Sequence, residues 1–109
     1  MPRNTISALA LTHIASSTVT GSYKPINPNG MEGACFFIRI NNASDENITL
    51  SYDGVTDNEY VFADTSLEVS SQLNSQPNNK LCLFPKGQII YVKGTAGTGN
   101  IYLSGYYQE

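Results

Sequence analysis

Hydrophobic and polar residues alternate most clearly between positions 34 and 61, which read ACFFIRINNASDENITLSYDGVTDNEYV. In residues 35–40, Ile38 and Ile40 fall on one face of an extended chain. The other face is apolar apart from Arg39, and this period of two in β-branched and aromatic residues predicts a strand. Because both faces are apolar, we expect the strand to lie inside a two-layer structure or beneath a partner chain.

A second strand is predicted at residues 48–52, where Ile, Leu and Tyr alternate with Thr and Ser. This alternation is typical of a half-buried strand. Residues 41–47 between the two runs are mostly Asn, Ser, Asp and Glu, which satisfy their own backbone in turns. We therefore predict a β-hairpin over residues 34–52, followed by an Asp-Gly turn and a further strand at residues 59–62.

The remaining β-rich runs are separated by turn-forming residues. Further strands are predicted at residues 16–23, 67–73, 80–84, 88–93 and 101–107, and residues 25–30 are predicted to be a rim loop. The glycine-containing segment 94–100 joins the last two strands, so it predicts the tip of an antiparallel hairpin. A phosphate-binding loop is followed by a helix and ends in a Lys-Ser/Thr pair. Here a strand follows and the pair is missing, so we predict no phosphate-binding loop.

About eight strands at intervals of roughly 8–14 residues, with no helical period, predict an all-β protein, an antiparallel β-sandwich or jelly roll. We assign residues 16–109 to a single β-sandwich domain and residues 1–15 to an N-terminal arm or edge strand. This arm packs on its own domain or on a neighbour, and we predict docking on another subunit. Its apolar stretch is interrupted by Thr12 and His13, so we expect neither a cleaved signal peptide nor a membrane span.

Charged residues make up only 14% of the chain, and the net charge is −3 with a pI near 4.9. Nucleic acid and anionic membranes are recognised through basic patches, so neither is an expected partner. Acids concentrate in residues 45–64 and lysines in residues 80–93. This split could orient neighbouring copies head to tail, although two solvated edges explain it more simply. Open sheet edges favour assembly, so we expect a homo-oligomer.

Chemistry-bearing residues form no recognisable motif. The acids between Asp53 and Glu59 do not follow calcium-loop spacing, so a polar turn is preferred to a metal site. Cys35 and Cys82 are interpreted as small buried hydrophobes, with a disulfide between them left open. His13 is interpreted as a polar residue near a chain end. We therefore predict no catalytic residue, no cofactor, no metal ligand and no enzymatic activity.

Four residues are predicted to lie at an interface. An isolated charge in an apolar strand is costly to bury, so Arg39 is expected to be paired at an interface or a rim. Tyr102, Tyr106 and Tyr107 crowd the last strand, with Tyr107 on the opposite face from the other two. For these tyrosines, subunit contact and plain sheet surface are equally favoured, ahead of stacking on a sugar.

Three segments follow a pattern that extends over about two thirds of the chain, leaving residues 1–30 outside it. They are ITLSYDG at 48–54, KGQIIYVKG at 86–94 and AGTGNIYLSGY at 96–106. The pattern reads I-T-[IL]-S-[YF]-D-G and, later, K-G-x-x-[IV]-Y-V-K-G-x-A-G-T-G-x-[IV]-Y-[LV]-S-x-Y. In these segments the sequence resembles small structural virion proteins of tailed bacteriophages.

The resemblance implies a non-enzymatic part of the virion, assembled in the host cytoplasm and seated as a capsid decoration, at the head-tail connector or in the tail. It implies partners that are copies of the chain itself and other virion proteins. Two other hypotheses stay open: a carbohydrate- or receptor-binding β-module that uses Tyr102 or Tyr106, and a hydrolase acting on a cell-wall polymer. The hydrolase lacks a nucleophile-base pair, a metal cluster or a placed pair of acids.

Overall fold

The structure is a computed structural model that describes residues 6–70 and 84–108. Nine strands lie in this part of the chain. They are β1 Ile6–Ala8, β2 Thr12–Ala15, β3 Lys24–Pro25, β4 Cys35–Ser44, β5 Ile48–Ser51, β6 Glu59–Val61, β7 Thr65–Ser70, β8 Tyr91–Gly94 and β9 Gly99–Gln108. A single 3₁₀ turn, Ser16–Thr18, is the one helical element among these residues, and no described helix is long and apolar enough to cross a membrane.

The strands form two antiparallel sheets. The large sheet has the order β1-β9-β4-β7, with β2 also pairing with β9, and the small sheet has the order β3-β8-β5-β6. Every strand pairing within them is antiparallel. This arrangement confirms the predicted all-β antiparallel β-sandwich.

The core lies between the two sheets. Ile38 and Ile40 of β4 are fully buried, as the alternation of that strand predicts, and Leu103 of β9 is buried beside them. Leu50 and Val92 belong to the same buried cluster from the small sheet. Each fully buried side chain of this size contributes about 1.5–3 kcal/mol to folding, so the core holds the sheets face to face.

The predicted hairpin over residues 34–52 is wrong. Strand β4 pairs with β9 and β7, whereas β5 pairs with β6 and β8, so the two strands lie in different sheets. Strand β4 also continues to Ser44, through residues that we expected to form a turn. Alternation predicts the face of a residue but not the strand beside it, and here the chain crosses between layers at residues 45–47.

Asn42 explains why the strand continues through a polar sequence. Its side chain is fully buried, and its Nδ2 donates to the carbonyl oxygens of Glu46 at 3.0 Å and Phe62 at 3.1 Å. Its Oδ1 accepts the hydroxyl of Ser44 at 2.5 Å. The amide therefore binds the β4–β5 crossing to the β6–β7 crossing, and its polar groups are satisfied inside the protein.

The second predicted hairpin, with residues 94–100 at its tip, is also wrong, because β8 belongs to the small sheet and β9 to the large one. The glycines of this crossing allow close packing. Gly99 has a φ of 108°, and a Cβ there would lie 2.2 Å from the carbonyl oxygen of Ala43. Any other residue at this position would meet both a strained backbone and a clash.

Other predicted boundaries shift by a few residues. Residues 16–23 contain the 3₁₀ turn instead of a strand, and β3 lies at the start of the predicted rim loop. The hairpin after the Asp-Gly turn is present, since β5 pairs with β6 and Gly54 adopts a φ of 80°. Of the predicted strand 80–84 only Phe84 lies among the described residues, and its N–H donates to the carbonyl of Cys35 at 2.9 Å.

The described part of the N-terminal arm lies on its own domain. Strands β1 and β2 pair with β9 of the same chain, and Leu9 donates its N–H to the carbonyl of Gly105 at 2.9 Å. The N–H of Ala10 donates to Oε1 of Glu32 at 2.8 Å. Strands β1 and β2 therefore form an edge of their own sheet, and docking of the arm on another subunit stays a prediction.

Candidate functional site

The side of the large sheet that faces away from the core carries most of the predicted interface residues. On β4 the residues between the buried isoleucines, Phe37 and Arg39, point outward, and register places them beside Tyr106 and Ser104 of β9. Arg39 also lies opposite Glu68 of β7. We name this surface the outer aromatic face. It comprises His13, Phe37, Arg39, Asn41, Glu68, Tyr102, Ser104 and Tyr106.

Aromatic rings occupy two rows of this face. The rings of Phe37 and Tyr106 are 5.9 Å apart between centroids, and those of His13 and Tyr102 are 5.8 Å apart. Both pairs are tilted, as aromatic neighbours prefer. Tyr106 is 44% exposed, so a large amphipathic ring is presented to solvent or to a partner.

Arg39 is not an isolated charge. Its Nη2 lies 2.7 Å from Oε2 of Glu68, and its Nε donates to the same oxygen at 2.9 Å. The guanidinium carbon lies 5.8 Å from the ring centroid of Phe37. Both charged side chains are about half exposed, so the expected burial penalty does not arise. An arginine has five N–H donors, so Arg39 retains donors for a further contact.

Tyr107 lies on the opposite side of the large sheet, half-buried against the core. A Cβ on Gly33 would lie 2.4 Å from its Cδ2, so the ring fits over that glycine. The structure therefore brings Arg39, Tyr102 and Tyr106 together and leaves Tyr107 apart from them.

The sequence prediction missed other members of the face. Phe37 shares its side of β4 with Arg39 and could have been found from the period of two. Glu68 could not, because its place beside Arg39 depends on the β4–β7 pairing.

The small sheet presents a different outer surface, where polar groups bind one another. Lys93 Nζ lies 3.0 Å from Oδ1 of Asp57 and 4.7 Å from the ring centroid of Tyr23. The hydroxyl of Tyr23 donates to the same carboxylate. Partial burial, together with the hydrogen bond and charge of Asp57, raises the pKa of Tyr23 to about 12. The hydrogen bonds from Tyr23 and Lys93 hold the pKa of Asp57 below its usual value.

Asp53 organises the turn after β5 with its own carboxylate. Oδ1 accepts the N–H groups of Val55 and Thr56 and the hydroxyl of Ser51, each at 2.8 Å. Oδ2 accepts the hydroxyl of Thr56 at 2.9 Å. These donors hold the pKa of the Asp53 carboxyl well below its usual range. Within residues 6–70 and 84–108, no group of three or more acidic, histidine or cysteine side chains is placed to hold a metal ion.

A buried thiol and a small cleft are two further features of the described residues. Cys35 is fully buried, and burial raises the pKa of its thiol. Cys82, with which a disulfide was left open, lies outside the described residues. A cleft of about 210 Å³ lies beneath the arm and is lined by Leu9, Met31 and Leu103 among others. Small-molecule sites usually occupy about 300–1,000 Å³, so this cleft does not indicate one.

No model of a protein family matches the sequence, and no curated protein matches it. Among solved structures, the fold is similar to that of a subunit of Bacillus endospore appendages, described as disulfide-linked pili. The TM-score is 0.51 and the identity 13%, over 96% of this chain and 89% of that chain. At this identity the likeness concerns the fold alone.

Two weaker likenesses support no argument. One is to SPP1 Dit, a hub adsorption protein of phages that infect Gram-positive bacteria, with a TM-score of 0.41 and 11% identity. It covers 94% of this chain and 49% of that chain. The other is to PirA, with a TM-score of 0.37 and 12% identity, over 100% of this chain and 95% of that chain.

Proposed function

We propose that the protein is a non-enzymatic structural component of a phage virion, which assembles symmetrically and stabilises or joins capsid, neck or tail proteins. The observation that carries this proposal is the outer aromatic face. It presents Phe37, Tyr102 and Tyr106 around a single ion pair. Tyrosine, phenylalanine and arginine are the residues enriched at protein interfaces, where unpaired charges are depleted.

The size of the face is adequate for a specific contact. The strands that form it contain ten residues each in β4 and β9, six in β7, three in β1 and four in β2. At standard strand dimensions these strands cover on the order of 500 Å². Two such faces together bury about 1,000 Å², which is the lower bound expected of a specific interface. A protein of similar fold forms pili, so assembly is compatible with this arrangement of strands.

The assignment to a virion rests on the sequence segments that resemble structural proteins of tailed phages, two of which include most of β8 and β9. These segments provide strands and turns instead of a constellation of reactive groups. They support a structural role, which agrees with the interface-type residues of the outer aromatic face.

A second candidate, a glycan- or receptor-binding module, is favoured by one observation. Tyr102 and Tyr106 project from the same face of β9, and sugars stack on exposed aromatic rings. This candidate predicts glycan affinity that is lost in Tyr106→Ala, whereas the structural role predicts none.

The test is the copy number of this chain relative to the major shell protein in purified particles, by quantitative mass spectrometry. We expect the chain in the particle: hundreds of copies indicate capsid decoration, and about a dozen indicate a neck or tail part. Absence from particles, in lysates where the chain is produced, would refute the virion role and favour glycan binding.

A further inference from the structure

We infer that the outer aromatic face binds the same face of a second copy of this chain, about a two-fold axis that runs parallel to the strands between β4 and β9. This inference rests on the proposed function in one respect, that the face is an assembly surface. It adds the partner and the geometry of the contact.

The first step is the position of the axis. The face is four strands wide, with β9 and β4 in the middle, β7 on one side and the arm strands on the other. An axis between β9 and β4 therefore covers the whole face in both copies. An axis nearer either edge would leave part of the face uncovered and bury less area than a stable dimer needs.

The second step is the set of contacts that this axis creates. Rotation places β9 of one copy over β4 of the other, so residues paired across the sheet also meet across the interface. Tyr106 then faces Phe37 of the second copy, because these two residues are register partners within one chain. Likewise, the long side chain of Arg39 faces the small Ser104. A large residue opposite a small one is the pattern that lets two sheets interdigitate about 10 Å apart.

The third step is charge. The chain carries a net charge of −3, which opposes self-association in general. On this face, however, the charges of Arg39 and Glu68 neutralise each other within 2.7 Å. Two such faces meet without a net repulsion, and the exposed ring of Tyr106 gains most from burial. Within the described residues, no strand covers this side of the large sheet.

The experiment measures self-association by sedimentation velocity from about 1 to 200 µM, with matched variants. We expect the natural chain to form dimers. Tyr106→Ala should raise the dimer dissociation constant at least about 30-fold, the loss typical of an interface hot spot. Tyr60→Ala is the control, since Tyr60 is 55% exposed on the small sheet, and it should dimerise as the natural chain does.

A size swap tests the geometry. Ser104→Arg should abolish dimerisation, because two arginines then meet across the interface. Adding Arg39→Ser to that variant restores one large residue opposite one small residue and should recover the dimer. Circular dichroism confirms that each variant is folded, so that loss of the dimer is read on intact protein.

Three outcomes would overturn the inference: a natural chain that is monomeric at 200 µM, equal dissociation by Tyr60→Ala and Tyr106→Ala, or a monomer that binds glycans through Tyr106. The particle measurement is independent of these outcomes. A chain that is monomeric in solution but present in particles refutes the dimer and leaves the virion role intact. A chain that dimerises but is absent from particles supports the dimer and refutes the virion role.

Discussion

The outer surfaces of the two sheets differ in what their polar groups do. On the small sheet, Tyr23 and Lys93 both bind the carboxylate of Asp57, so these polar groups already have partners within the chain. On the large sheet, one ion pair lies among rings that remain partly exposed, with Tyr106 at 44%. The small sheet also exposes a ring, Tyr60 at 55%, so the two surfaces differ in their polar groups and not in whether they expose a ring. Net binding energy comes from groups that gain more from a partner than from water. This difference agrees with our proposal that the large sheet is the assembly surface.

The largest expected effect is a loss of stability of the whole fold, which would disturb both outer surfaces. Asn42 joins the two crossings between the sheets, so Asn42→Ala removes its buried hydrogen bonds to the carbonyl groups of Glu46 and Phe62 and the acceptor of the Ser44 hydroxyl. We expect a loss of about 2–3 kcal/mol in the free energy of unfolding, since three buried hydrogen bonds are removed and each contributes about 0.5–1.5 kcal/mol. Urea denaturation measures it. Asn41→Ala, at an exposed position one residue away, is the control and should change stability little.

An intermediate effect, on stability at alkaline pH, is expected from the outer surface of the small sheet. Burial, together with the hydrogen bond and charge of Asp57, raises the pKa of Tyr23 to about 12. The neutral phenol therefore stabilises the fold fully below pH 10, the ordinary tyrosine value, and this contribution is lost as the pH rises towards about 12. Tyr23→Phe should remove that part of the alkaline destabilisation. Thermal melts between pH 8 and 12 measure the difference between the two chains. Identical profiles would show that Tyr23 and Asp57 do not interact.

The smallest effect on folding is expected on the large sheet. Arg39→Ala removes an ion pair whose partners are about half exposed, and such pairs contribute only about 0–1 kcal/mol. The free energy of unfolding of the monomer should therefore change by less than about 1 kcal/mol, whereas self-association should weaken. A large loss of monomer stability would mean that Arg39 serves the fold and not the interface. Unfolding at concentrations below the dimer dissociation constant separates the two.

Sequence reasoning predicted the class of the fold and the faces of its main strands. The alternation around Ile38 and Ile40 identified a strand whose buried face is now seen. Arg39 was predicted at an interface from its charge, and Tyr102, Tyr106 and Tyr107 from their crowding in one strand. The structure places Arg39, Tyr102 and Tyr106 on one face and Tyr107 on the other.

The pairing of strands was not predictable in the same way. The pairing of β5 with β6 through the Asp-Gly turn was predicted correctly, because that turn is a strong local signal. The hairpins predicted over residues 34–52 and around residues 94–100 failed, because in both places the chain crosses to the other sheet. Asn42 was assigned to a turn on its residue type, yet buried partners at Glu46 and Phe62 make it part of a strand. The ion pair of Arg39 with Glu68 depends on a register between strands 29 positions apart. No local pattern encodes that register.

The central position of β9 has a consequence for how the chain folds during synthesis. This strand lies between β4 and the arm strands, and Ile6 of β1 pairs with Gln108 of β9. The pairings of the large sheet are therefore complete only after residue 108 has left the ribosome. Until then, one edge of β4 stays unpaired while later residues are synthesised. Waiting strands with open edges are prone to mispairing between nascent chains. Translation rate and chaperone supply should thus influence the yield of folded protein.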